Sequence, residues 1–348
     1  MNFSFSRIRY PYFIAEISAN HDGSIQDAKK LILSAKKNGA SAVKLQTYTP
    51  DTITINSVRK EFLIKRGLWK GYNLWNLYKK AHTPFEWHKE LFQYARSLNI
   101  LCFSTPFDET AVDLLEELNC PIYKIASPEI MHFPLLKRIS KTRKPLIIST
   151  GMASLKEIDA SYNYAKKLGI KEISLLYCVS SYPAKSSDFN INNIKILKKN
   201  YNCIIGFSDH SIGTNIAEAA VIAGAEIIEK HICLKSNKKA LDSAFSISGK
   251  EIKIYKQTLD NAHVLLGKKY FYRSKSEKKN LIFRRSIYTI NNIKKGERFT
   301  KYNIKVIRPA LGASPMYYDK LINRISAANI KKFSPLNKSI LKKLKIIK

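Results

Sequence analysis

The stretch EIIEKHICL, residues 226–234, decides how the chain is read. Its apolar residues suit a strand, and a strand buried on both faces should be nearly continuous in Val, Ile and Leu. Yet Glu229, Lys230 and His231 stand in succession inside it. Charge in such a run is costly unless it is paired, bound to a metal or put to use. Side chains alternate faces along a strand, so Glu229 and His231 share one face and Lys230 takes the other.

Seven similar runs precede this one: YFIAEIS from 12, SAVKLQT from 41, ILCFSTP from 100, PIYKIAS from 121, PLIIST from 145, EISLLYC from 172 and CIIGFSD from 203. Helix-like stretches with recognisable ends lie between them. Ser24 is placed to cap IQDAKKLILSAKK, which stops at Gly39, and Asp108 to cap ETAVDLLEEL. Ser154 and Glu157 have capping-box spacing before a helix that ends near Gly169. A further helix, roughly 250–265, follows the eighth run. Eight strands alternating with helices predict an α/β fold of the TIM (β/α)8 barrel type. A doubly wound open sheet is the alternative, but no GxGxxG follows the first run.

Polar residues gather toward the ends of these runs: Glu16; Lys44 with Gln46; Ser104 with Thr105; Lys124 with Ser127; Ser149 with Thr150; Ser180 with Tyr182; Asp209 with His210; Glu229 with His231. One such residue is ordinarily a cap or a turn. Eight runs in succession that end this way match a barrel enzyme, whose active site lies at the C-terminal ends of the strands.

The second connection is long and contains GLWKGYNLWNLYKKAHTPFEWHKELF, residues 67–92. Such a loop is either a lid or substrate wall, or a helix decorating the rim. After residue 265 the texture changes. The predicted division is a barrel over 1–266, a basic linker over 267–283 and a small β-rich domain over 284–348. So small a module is marginal alone and is expected to dock on its own barrel or on a partner subunit.

The chain of 348 residues carries a formal net charge of +33, with lysines scattered along nearly every helix-like stretch. That implies nonspecific attraction to polyanions. Without a zinc-finger motif, an RNP motif or an arginine-rich arm, no specific nucleic-acid partner is expected. No apolar run is long enough to cross a bilayer, so no membrane role is expected. The start, MNFSFSRIRYPYFIAEI, lacks signal-peptide organisation, and a cytoplasmic protein is expected. Five cysteines, an odd number with no CxxC, indicate neither a disulfide framework nor a zinc knuckle.

Four groups of residues carry chemistry. His210 and His231, at the ends of neighbouring strands, are placed to hold a divalent ion while leaving positions open for water and substrate. Lys44 and Lys124, inside apolar runs, suit either Schiff-base catalysis or the clamping of an anion. Ser127, Ser149 and Thr150, with Gly151 and the helix start near Ser154, suit a phosphate. Glu16 suits proton transfer or an ion pair with Lys44.

Taken together, FIAEISANHDGS, VKLQTYTPDT, CFSTPFD, YKIAS, STGMAS, SYPA, GFSDHS, EKH and DSAFS resemble the sialic acid synthase family. RRSIYTINNIKKGERFT and IRP resemble the antifreeze-like (SAF) domain that accompanies this barrel. Within the family, GLWKGYNLWNLYKKAHTPFEWHKELF and LDSAFS look like the pseudaminic acid synthase branch. The resemblance implies condensation of phosphoenolpyruvate with an acetamido sugar. It places Lys44, Thr105, Lys124, Ser127, Ser149, Ser180 and Tyr182 around phosphoenolpyruvate, and His210 and His231 on a metal. That metal would be Mn2+, with Mg2+ or Co2+ as alternatives. Glu16 and Gln46 would stand by the reacting carbons and the attacking water. Glu229, Lys230 and Asp242 would stand at the sugar side. Arg308 would reach across a homodimer to the sugar's N-acetyl group. Three departures touch this pattern: Lys239 and Ala240 where glycines usually precede the aspartate of DSAFS, Pro128 in place of an aromatic, and PALG after Arg308. A Schiff-base aldolase using Lys124, a noncatalytic polysaccharide-assembly protein and a polyanion binder are the competing readings.

Overall fold

In the computed structural model, which describes residues 3–235 and 239–347, the eight runs form one closed ring of parallel strands. They are β1 Tyr12–Glu16, β2 Ala42–Thr47, β3 Leu101–Pro106, β4 Tyr123–Ile125, β5 Leu146–Ser149, β6 Ile173–Cys178, β7 Ile204–Asp209 and β8 Ile227–Cys233. Each pairs with the next, and β1 pairs with β8 to close the ring. Register there sets Glu16 opposite both Lys44 and His231. The short β9, Ile247–Ser248, pairs parallel with the end of β8 at Ile232 and Cys233 and was not anticipated from the sequence.

The surrounding helices are α1 Ile25–Lys37, α2 Pro50–Ile53, α3 Leu74–Ala81, α4 Phe85–Ser97, α5 Glu109–Glu117, α6 Phe133–Ser140, α7 Leu155–Lys167, α8 Asn192–Asn200, α9 Asn215–Ala223 and α10 Lys250–Leu266. Their starts follow from local chemistry. Ser24 Oγ accepts from Asp27 N, Asp108 accepts from Ala111 N at 2.7 Å, and Ser154 and Glu157 close both bonds of a capping box. Each satisfies an amide that the first helical turn leaves unpaired.

The chain divides after Gly267 into two compact units. In the second, β10 (Ser286–Thr289) pairs antiparallel with β11 (Ile304–Ile307) over a core that includes Ile287, Phe299, Ile304 and Leu336. The basic stretch read as a linker holds a short helix, α11 (Lys275–Lys279), capped by Ser274 and Glu277, and belongs with this second unit. None of the five cysteines forms a disulfide. Among the described residues no helix is long and apolar enough to cross a membrane.

Gly206 on β7 marks how tightly the ring closes. A Cβ there would lie 2.5 Å from the Ile227 carbonyl oxygen and 2.9 Å from Ile227 Cβ. Gly206→Ala is therefore expected to destabilise the barrel by about 1–3 kcal/mol, the usual penalty of overpacking. Urea unfolding measures it, and a midpoint equal to that of the unaltered chain would show that β7 and β8 yield at this contact.

Candidate active site

Strand parity selects what faces the cavity at the C-terminal end of the ring. Its volume is about 400 Å³, and its lining takes Glu16 from β1, Lys44 and Gln46 from β2, Thr105 from β3 and Lys124 from β4. Ser149, Cys178, Ser208 with His210, and Glu229 with His231 continue the lining around β5 to β8. The residues between them point away. Ser104 and Thr47 bond to each other, Thr47 also meets His88 of α4, and Thr150 Oγ1 donates to the Leu176 carbonyl.

The floor is an array of four buried charges. Lys124 Nζ lies 2.8 and 2.9 Å from the two oxygens of Glu229. Lys44 Nζ lies 2.6 Å from Glu16 Oε2 and 3.9 Å from Glu229 Oε1, and donates to Thr105 Oγ1 at 3.0 Å. Burial raises the Glu229 pKa, but the two ammonium groups outweigh it and hold the carboxyl at about 2. Glu16 goes the other way. Burial, reinforced by Glu229, lifts it to about 7 against the pull of Lys44. Burial lowers the Lys44 pKa, yet the two carboxylates outweigh it and leave the group raised. Lys124 is lowered, because burial exceeds what Glu229 returns. One carboxylate is thus locked in its ionised form while its neighbour exchanges a proton near neutrality.

Around Lys124 lie hydroxyls suited to an anion. Ser149 Oγ is buried without a hydrogen-bond partner. Gly151 N donates to Ser127 Oγ at 3.0 Å, and a Cβ on Gly151 would collide with both Ser127 Oγ and Ser180 Oγ. The turn is therefore a cradle in which only glycine leaves room. Ser180 reaches this turn and does not itself line the cavity.

At the rim the rings of His210 and His231 stand 5.3 Å apart, with Phe245 and Tyr182 packed beside them. His210 Nδ1 lies 3.0 Å from the Val179 carbonyl, which it meets as a donor, so Nε2 is the nitrogen left to face a ligand. His231 Nδ1 is buried with no hydrogen bond, and burial with nearby cations holds the ring well below the usual imidazole range, hence neutral. Two imidazoles, one with an orphaned nitrogen, fit a divalent ion. Among the described residues no group of three or more His, Cys, Asp or Glu is arranged around one point, so the remaining positions would fall to water and substrate.

A hydrogen-bonded chain joins floor to rim. Gln46 Nε2 donates to Glu16 Oε1 and to Ser18 Oγ, both at 3.0 Å, and Ser18 donates to Asp242. The long second connection is a wall: Ile53, Ile64, Trp69, Leu74, Leu77 and Tyr78 line the cavity. Trp69 packs on Tyr182 at 5.4 Å, and its Nε1 donates to the Leu241 carbonyl.

Besides Ser180, one expected residue of the first unit stays outside the cavity lining. Lys230 faces outward against Asp209 and Tyr255 and does not line the cavity, because parity puts it on the opposite face from Glu229 and His231. That corrects its placement at the sugar side. Arg308 lies exposed in the second unit. Other residues of the cavity went unread. Ser208 and Cys178 were legible from parity, lying two residues before His210 and Ser180. Glu129 was not. It lines the cavity from a 3₁₀ turn, Ser127–Glu129, which has no strand period, and one of its oxygens is buried without a partner. Burial lifts its pKa to about 7.

Known relatives span both the barrel and the small domain. The NeuB family matches residues 31–270 and the SAF domain matches 284–341. The chain belongs to the NeuB family. The pseudaminic acid synthase of Helicobacter pylori is 39% identical over 328 residues, covering 94% of this chain and 96% of that protein. The N,N'-diacetyllegionaminic acid synthase of Campylobacter jejuni is 37% identical and covers 91% of this chain and 96% of its own. Among solved structures, the N-acetylneuraminic acid (sialic acid) synthetase of Leptospira borgpetersenii, in complex with citrate, superposes with a TM-score of 0.72 at 31% identity. It covers 81% of this chain and 95% of its own. The family resemblance carried by the motifs is thereby established across the barrel and the small domain.

Carboxyl-carbon NMR of the ligand-free protein is expected to show two glutamates titrating near pH 7, one lost in Glu16→Gln and the other in Glu129→Gln. Both folded pKa values lie above the unfolded one, so their stabilising share is complete below about pH 4.3 and fades as pH rises through 7. Either variant should therefore gain stability relative to the unaltered chain between pH 5 and 8. Two variants that track the unaltered chain across that range would contradict both assignments.

Proposed function

We propose that the chain condenses phosphoenolpyruvate with 2,4-diacetamido-2,4,6-trideoxyaltrose, giving pseudaminic acid and inorganic phosphate. The observation that carries this reading is the meeting, in one cavity, of an anion floor at Lys44 and Lys124 with a paired-histidine rim. The 39% identity to pseudaminic acid synthase over nearly the whole chain supports the branch.

Lys124, Ser127, Ser149 and Ser180 would receive the phosphate, and Lys44 with Thr105 the carboxylate, replacing contacts these groups now make with Glu229 and Glu16. His210 and His231 would hold a divalent ion, Mn2+ by family resemblance, which would supply Lewis acidity toward the sugar aldehyde. The C2–C3 π electrons of phosphoenolpyruvate form the new bond to the aldehyde carbon, whose oxygen takes a proton. Water adds at C2 and passes a proton toward Glu16, which Gln46 orients. The tetrahedral adduct then breaks the bond between C2 and the bridging oxygen, releasing phosphate and leaving a 2-keto acid. The ammonium groups offset negative charge throughout. Lys124 has both Glu229 oxygens on its Nζ, which favours a fixed cation over a Schiff-base nucleophile.

The wall formed by the second connection favours a sugar poor in hydroxyls. Ile53, Ile64, Leu74, Leu77 and Ala81 offer a hydroxyl nothing to bond. An unsatisfied buried polar group costs about 1–3 kcal/mol, whereas a methyl gains about 0.8 kcal/mol per buried carbon. A 6-deoxy sugar with two acetamido methyls meets this surface better than N-acetylmannosamine. By the same family resemblance the enzyme works in the cytoplasm as a homodimer. Arg308 of each subunit would serve the other's site, and the product would feed surface polysaccharide or flagellin glycosylation.

Phosphate release should be fastest with the diacetamido-trideoxyaltrose among a panel that includes its legionaminic counterpart and N-acetylmannosamine. It should be lost in EDTA and restored by Mn2+. With bridging-oxygen-18 phosphoenolpyruvate, the label should appear in phosphate; trapping of a borohydride adduct with activity indifferent to EDTA would instead make it an aldolase. Leu77→Gln should lower kcat/KM for the deoxy sugar by roughly tenfold while changing KM for phosphoenolpyruvate little. Equal kcat/KM would remove the wall from substrate selection.

A further inference from the structure

The segments that carry the two rim histidines are tied together on the outer side of the barrel, away from the cavity. Lys230, between Glu229 and His231, is fully buried there. Its Nζ lies 3.2 Å from Asp209 Oδ2 and donates to the Ser211 carbonyl. Asp209 Oδ1 accepts from Ser211 N at 2.8 Å and from Ser211 Oγ at 2.6 Å. Asp209 Oδ2 accepts from Tyr255 Oη of α10 at 2.7 Å. In the β7–β8 ladder Asp209 is the partner of Lys230.

Asp209 and Ser211 are the two residues that flank His210, and Lys230 directly precedes His231. One ammonium group therefore grips both neighbours of the first imidazole from a site next in sequence to the second. Elsewhere His210 is held through the bond from Ala184 N to its carbonyl, through Nδ1 contacts with the Val179 carbonyl and Cys178 Sγ, and by ring packing on Tyr182 and Phe245, none of which engages Asp209 or Ser211. None of Lys230, Asp209, Ser211 and Tyr255 lines the cavity. A buried ion pair of this kind is a poor source of stability compared with apolar packing of the same volume. What it supplies is geometry, since its bonds are short, directional and fully desolvated.

We propose that Lys230, Asp209 and Tyr255 are positioning residues that hold His210 and His231 at the separation at which the pair binds a divalent cation. This rests on the metal reading given above and assigns Lys230 a task outside the cavity. Removing the clamp leaves both imidazoles present but lets the loop from Asp209 to Ser211 turn. Groups that orient metal ligands from behind typically change metal affinity by roughly 10- to 100-fold.

Mn2+ binding to the full-length protein, followed by EPR of the free ion and by calorimetry, tests this alongside thermal melts. The unaltered chain should bind one Mn2+, and His210→Ala or His231→Ala should abolish it. Tyr255→Phe, which removes one hydroxyl, and Lys230→Met should each fold and weaken Mn2+ binding by roughly tenfold or more. Their turnover should recover at saturating Mn2+ with KM for phosphoenolpyruvate unchanged, because Lys44 and Lys124 are untouched. No binding by the unaltered chain, or binding that survives loss of either histidine, would overturn the metal reading itself. Histidine-dependent binding that stays within twofold in Tyr255→Phe and Lys230→Met would overturn the positioning role alone. Should Lys230→Met fail to fold, Tyr255→Phe decides.

Discussion

Four charges sealed into the mouth of a barrel are the constraint around which this protein is built. Glu16, Lys44, Lys124 and Glu229 come from four different strands and sum to zero when all are ionised. Separately, each would be prohibitively costly to bury. Together they are tolerated, and they keep the cavity polar and ready for an incoming anion. The array also explains why the two carboxylates differ. Glu229 is gripped by both oxygens and stays charged, while Glu16 has one strong partner and rises to about 7. A floor with one fixed and one exchangeable carboxyl is a natural place for the proton transfer that the proposed addition of water requires.

The barrel wall is used on both faces. Inside β8, Glu229 completes the floor and His231 completes the rim. On the outer face of the same strand, Lys230 closes a second polar network with Asp209 and Tyr255, sealed by α10. Alternation along one strand thus separates chemistry from support by a single residue step. Motif matching alone places all three polar residues of EKH in the site. The fold moves one of them to the scaffold.

The connections complete the cavity. The long excursion between β2 and β3 closes one side of the cavity with Ile53, Ile64, Trp69 and Leu77. Trp69 touches both Tyr182 and the backbone at Leu241, so the wall is braced against the segment leading to Asp242. Lys239 and Ala240, the departure from the usual glycines, stand next to that brace. In the proposed reaction, substrate choice then rests on this connection, apart from the floor and rim that carry the chemistry.

Much of this was legible beforehand because strand burial and parity are local rules. Eight apolar runs, their capped helices and the polar residue at each strand end could be counted along the chain. Alternation already set Lys230 apart from Glu229 and His231. Glu129 escaped because a 3₁₀ turn has no strand period to reveal which way a carboxylate points. So did the role of Ser18, whose use depends on meeting Gln46 and Asp242 across two loops. The choice between wall and ornament for the second connection also waited on packing. Sequence by itself determined the ring, its order and the residues aimed at its mouth, since these follow from the two-residue repeat of a buried strand. Tertiary structure decided which charges neutralise one another, which carboxyl holds its proton and which lysine supports from behind. Those depend on distances between segments far apart in the chain, and a Coulomb interaction is set by separation in space and by desolvation.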